Sequence, residues 1–207
     1  MRDRDLVRLY WPVELRPAFD ALFGIDDALA EVVVTSTQPA LGAIRLAWWR
    51  EALTRLDASP PPPEPRLHAV AAELHSRGIT GARVAELEDG WVTLLDEEPN
   101  LERVAGRGTR LFAMAAQLLG GSDELIDVAG RLYAYGTVRR RGLGPMHRST
   151  EELHQLVGHH FPRRLRPLTG LARLAARDVK QAPKLEPEAT PGRAAALLSH
   201  RLFGIVV

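Results

Sequence analysis

The chain has 207 residues, 45% of them apolar and 26% charged, which suits one soluble globular domain with a sizeable core. The absence of cysteine excludes disulfides, thiol nucleophiles and cysteine-ligated zinc. A net charge of +1 removes any bulk attraction to nucleic acid or anionic lipid, and no nucleic-acid partner is expected.

The charged start Met1-Arg2-Asp3-Arg4-Asp5 leads into no long apolar run, so neither a signal peptide nor a membrane span is expected there. The expectation is a cytoplasmic protein, with membrane association left open. Helical periodicity then runs nearly throughout, strand alternation is absent, and alanine, leucine and arginine all favour helix. A first helix spans about Pro17 to Val34, and a second follows Pro39 and ends near Leu56. Ser59-Pro60-Pro61-Pro62-Pro63-Glu64-Pro65 is a stiff loop. Helices follow over Arg66 to Arg77, Gly81 to Glu97 and Asn100 to Leu119. Gly120-Gly121 stops the last of these, and Ser122 caps another that runs to about Arg140. After a break at Gly142-Leu143-Gly144-Pro145, weaker helices cover Thr150 to Val157 and Arg163 to Val179. A loop from Gln181 to Thr190 precedes a final helix, Pro191 to Phe203, and the apolar tail Ile205-Val206-Val207. The sum is an all-α single domain over 1–207 with about eight helices.

Two helices carry charge where apolar residues are expected. Stepped at 100° per residue, Leu41, Trp48, Trp49, Ala52, Leu53 and Leu56 share one side of the second helix, with Arg45 at its centre. On the first helix, Asp26 lies inside the stripe of Phe19, Leu22, Phe23, Ala30 and Val33, and Asp27 and Glu31 flank it. A buried charge must be paired or face a polar cavity. The simplest expectation is an Asp26–Arg45 pair, either fixing helix register or belonging to a polar cavity. Trp48 and Trp49 suit core packing or a ligand-pocket wall. Arg139-Arg140-Arg141 closes a helix, as a solvated terminus or as an anion site. His147, His154, His159 and His160 lack metal-ligand spacing. Ser149 and Ser199 lack a nucleophile elbow, and Gly106-Arg107-Gly108 lacks the strand a phosphate loop needs.

Leu15-Arg16-Pro17-Ala18-Phe19-Asp20-Ala21-Leu22-Phe23 and Ile44-Arg45-Leu46-Ala47-Trp48-Trp49-Arg50-Glu51-Ala52-Leu53 resemble the N-terminal region of the squalene/phytoene synthase family. The likeness is strongest to its divergent bacterial members and to the related mitochondrial complex I assembly factors. Arg107-Gly108-Thr109-Arg110-Leu111 through Leu119-Gly120 resembles a later family helix more faintly. The resemblance implies an isoprenoid-synthase-like helical bundle around a central cavity. Active members there join two prenyl diphosphates, holding magnesium between two facing aspartate motifs. Carboxylates suit magnesium, and metal with cationic groups neutralises the departing diphosphate.

This chain departs from that pattern at both motifs. An ungapped match sets Ala30 and Val34 against the first motif's aspartates, and Arg141 against an aspartate of the second. The resemblance therefore implies a relative that has lost its magnesium–diphosphate motifs. It is expected to be non-catalytic and without a cofactor, holding a prenyl or other lipid, assisting a protein partner or touching a membrane surface. The alternative is an active prenyltransferase using magnesium at Asp26, Asp27 and Glu31, with Arg139, Arg140 and Arg141 on the diphosphate. A third reading is an unrelated helical interaction module. The ligand-cavity candidates are thus Asp26, Asp27, Glu31, Arg45, Trp49, Arg139, Arg140 and Arg141.

Overall fold

A computed structural model describes residues 2–144, 149–181 and 183–207, and no strand occurs among them. The helices in the first half are α1 (Asp3–Arg8), α2 (Arg16–Thr35), α3 (Pro39–Arg55), α4 (Pro65–Glu73), α5 (Gly81–Ala85) and α6 (Glu88–Val92). The second half adds α7 (Leu101–Leu118), α8 (Ile126–Arg140), α9 (Ser149–Gln155), α10 (Arg166–Lys180) and α11 (Pro191–Phe203). Several ends follow from local chemistry. Asn100 accepts from the Glu102 and Arg103 amides at 3.0 and 3.2 Å to start α7. Gly120, at φ +63°, ends it, and the Gly121 amide bonds back to the Ala116 carbonyl. Thr190 caps α11, Pro191 opens it, and left-handed Gly204 closes it.

Three expectations need correction. A short helix, α1, lies where none is read from the sequence. Ser122 does not cap α8, which starts after Leu125, where Asp123 accepts from the Leu125 amide. The stretch expected as one helix from Gly81 to Glu97 is α5, α6 and a 3-10 turn at Thr93–Leu95. These turns redirect the chain so that Trp91 reaches α2 while Val84 and Leu87 stay buried. In the apolar tail, Val206 is fully buried and its carbonyl accepts from Arg173. Pro145 and His147 lie outside the described residues.

α2 buries twelve of its twenty residues, so it runs through the middle of the bundle. The α7–α8 pair is the most extensive helix contact. It turns on glycine: a Cβ on Gly108 would stand 2.0 Å from the Gly130 carbonyl oxygen, and one on Gly130 would stand 2.4 Å from that of Gly108. α10 packs on α8, and α11 covers α10. On the buried face of α11, His200 donates from Nδ1 to the Ile205 carbonyl at 2.9 Å. Its Nε2 meets the Thr169 hydroxyl at 2.8 Å. Burial pushes this imidazole down to a pKa of about 4.

Candidate functional site

Adjacent residues on a helix point about 100° apart, so Asp26 and Asp27 of α2 meet different neighbours. Asp26 is sealed inside. Its Oδ1 accepts from the Trp91 indole at 2.8 Å and from Arg107 Nη1 at 2.5 Å. Both partners are fully buried, and the Arg107 guanidinium lies 4.0 Å from the Trp91 ring centroid. Arg107 also reaches the Ala134 carbonyl, which ties α2, α6, α7 and α8 together. The expected Asp26–Arg45 pair is therefore not formed. Arg45 is exposed, on a bare face of α3 with Leu41, Ile44 and Trp48. α3 carries two adjoining apolar stripes, and the one that packs is Gly42, Leu46, Trp49 and Leu53.

Asp27 faces a cleft of about 290 Å³ between α1, α2, α8, α10 and α11. Three guanidinium groups hold it: Arg2 at 2.9 Å, Arg141 at 2.9 Å, and Arg4 in close contact. Burial opposes its charge, but the field of Arg4, Arg141 and Arg2 prevails and holds this carboxyl below the usual carboxylate range. At the far end, Asp178 takes a bidentate grip from Arg140 at 2.6 and 2.6 Å and pairs with buried Arg193. Arg193 in turn pairs with Asp3 at 2.6 Å. α1 thus joins both systems, through Arg2 and Arg4 on one side and Asp3 on the other.

One wall of the cleft is apolar, made by Leu171, Leu174 and Ala175 of α10. Tyr133 also faces it, with its ring packed on Phe112 at 5.4 Å. Burial and the Asp26 charge push its phenol up to about 12, against the opposing field of Arg4, so it stays a neutral donor. Arg141 keeps a buried Nε–H without a hydrogen-bond acceptor among the described residues.

The structure brings Asp27, Arg140 and Arg141 into this cleft, with Asp26 sealed behind it. It does not bring in the other candidates. Glu31 is exposed, 3.7 Å from Arg66. Trp49 is packed into the core edge-on to Trp48. Arg139 donates to the Pro183 carbonyl. Ala30 is fully buried and Val34 is exposed, so neither lines the cleft. Asp26, Asp27 and Glu31 therefore form no cluster. Among the described residues no three histidine or acidic side chains stand where they could hold a metal ion, so the residues present do not fit a magnesium site. Sequence reading missed Arg4, Arg107, Tyr133 and Arg193. Arg107 had a signal, a cation on the same face of α7 as Val104, Leu111 and Ala115.

No family model, no curated protein and no solved structure matches this chain.

Proposed function

We propose that the protein is a non-catalytic helical binder of one small lipid-like anion, such as a single prenyl diphosphate, built on a squalene/phytoene synthase-like bundle. The cleft between α2, α8 and α10 is then the counterpart of the family's cavity. The observation that carries the reading is the state of Asp27. Its carboxylate is occupied by Arg2, Arg4 and Arg141, where a magnesium-dependent enzyme needs free acid. Arg141, matched to an aspartate of the family's second motif, stands directly against Asp27, so an ion pair spans the gap that a cation would bridge.

Size supports the same reading. Pockets for single small ligands run from about 300 to 1,000 Å³, and this cleft has about 290 Å³. That size suits one such ligand rather than the two that a condensation requires. The unspent Arg141 Nε–H and the neutral Tyr133 phenol suit the oxygens of one anionic head, and the α10 wall suits an apolar tail.

The test is titration calorimetry with farnesyl diphosphate, with and without magnesium, alongside product analysis. Binding of one equivalent, independent of magnesium and weakened at least tenfold by Arg141→Ala, is expected. Magnesium-dependent release of diphosphate would overturn the proposal.

A further inference from the structure

A second surface, sharing no lining residue with the cleft and independent of its reading, lies at the C-terminal end of α11. This helix has apolar residues on both faces. Ala196 and Leu197 pack inward, while Leu198 and Leu202, one turn apart, are 53% and 62% exposed, and Phe203 is 58% exposed. A helix apolar on both sides is ordinarily covered on both. Beside Leu202 opens a pocket of about 450 Å³, lined also by Tyr10, Arg163, Arg166 and Arg201. No carboxylate lines it. Several arginines elsewhere are matched by acids, as Arg8 is by Asp20 and Arg131 by Glu102 and Glu152. Here Arg166 is spent on the carbonyls of Arg201 and Leu202. Arg163 and Arg201 are exposed and have no ion pair among the described residues, and Arg201 rests on the Tyr10 ring at 4.8 Å.

We propose that this face docks on an anionic phospholipid surface, with Leu198, Leu202 and Phe203 entering the headgroup boundary and Arg163 and Arg201 engaging lipid phosphates. Apolar tips ringed by guanidinium groups are what an interfacial surface requires: the tips gain from leaving water, and the long side chains reach the phosphate plane. The guanidinium fork matches phosphate oxygens in pairs. The contact lies on the surface, because no helix among the described residues is long and apolar enough to cross a membrane. Near-neutral overall charge is compatible with this, since attraction to a membrane depends on charge within about one Debye length.

The experiment is co-sedimentation of the whole chain with vesicles of phosphatidylcholine and with equimolar phosphatidylcholine–phosphatidylglycerol. Binding to the mixed vesicles alone, weakened by salt, is expected. Each arginine near an anionic surface contributes a factor of roughly five, so Arg163→Ala with Arg201→Ala should weaken partitioning about 25-fold. Leu202→Ser with Phe203→Ser should abolish it, and Arg45→Ala should leave it unchanged. Circular dichroism checks each variant's fold. If the Arg201 change disturbs it, Arg163→Ala alone, at an exposed position, carries the test with a fivefold loss expected. The proposal is overturned by no binding to mixed vesicles, by equal binding to both kinds, or by an equal loss in Arg45→Ala. Binding to polyglutamate without any to vesicles likewise overturns it, in favour of an acidic protein partner.

Discussion

Asp26 and Asp27 are neighbours in one helix, of one residue type, and each is gripped by arginine. Asp26 sits in a dry cluster with Trp91 and Arg107, closed to solvent on every side. Asp27 sits at the rim of a cleft, shared among three arginines, one of which keeps a donor without an acceptor among the described residues. One cluster holds helices together, and the other lines an open cleft. The difference is one of surroundings, and it separates the effects of altering each.

The largest break is Asp26→Ala. It strands the buried Arg107 charge and should cost about 3–5 kcal/mol, read by urea unfolding. A loss below about 1 kcal/mol would mean that the cluster is open to water after all. Acid titration reads a different part of the bundle, α11. His200 is neutral when folded, with a pKa of about 4, and takes a proton more readily when unfolded, near 6.5. Its lowered value means that stability is intact above 6.5 and falls as pH drops towards about 4, by roughly 3 kcal/mol in all. His200→Gln should flatten that slope. Asp27, also shifted down, stays ionised through this window and yields its contribution only below the ordinary carboxylate range.

Asp27→Asn is gentler. A partly open ion pair of this kind should cost about 1 kcal/mol at neutral pH, and the released guanidinium groups should bind inorganic pyrophosphate several-fold more tightly, measured by calorimetry. Unchanged anion affinity would place the binding elsewhere. The smallest effects belong to Glu31→Ala and Arg45→Ala, exposed and outside both clusters, each within about 0.5 kcal/mol of the parent in thermal unfolding.

Much of the helical layout was legible because proline and glycine punctuate it: Pro191 and Gly204 bracket α11, and Asn100 and Gly120 bracket α7. The argument that a charge within an apolar stripe needs a partner was sound, and it applied to Arg107 as well as to Arg45. It failed at Arg45 because α3 has two apolar stripes side by side, and periodicity does not say which one meets a neighbour. Around Arg107 only a phosphate loop was considered, and rejected for want of a strand, whereas Gly108 serves close packing against α8. Arg141 was legible from the run Arg139-Arg140-Arg141 that closes its helix, whereas Arg4 and Arg193 were not. Their partners, Asp27 and the pair Asp3 and Asp178, lie far away along the chain, and only the tertiary arrangement unites them.

The bare backbone contact between Gly108 and Gly130 sets a gauge for everything built around it. Arg107 precedes one of these glycines, and Tyr133 and Arg141 follow the other on α8 and at its end. A single added methyl at the crossing would force the two helices apart and displace both arginines at once. The sealed cluster and the open one are therefore registered to a common datum, so that neither can shift without dragging the other out of alignment.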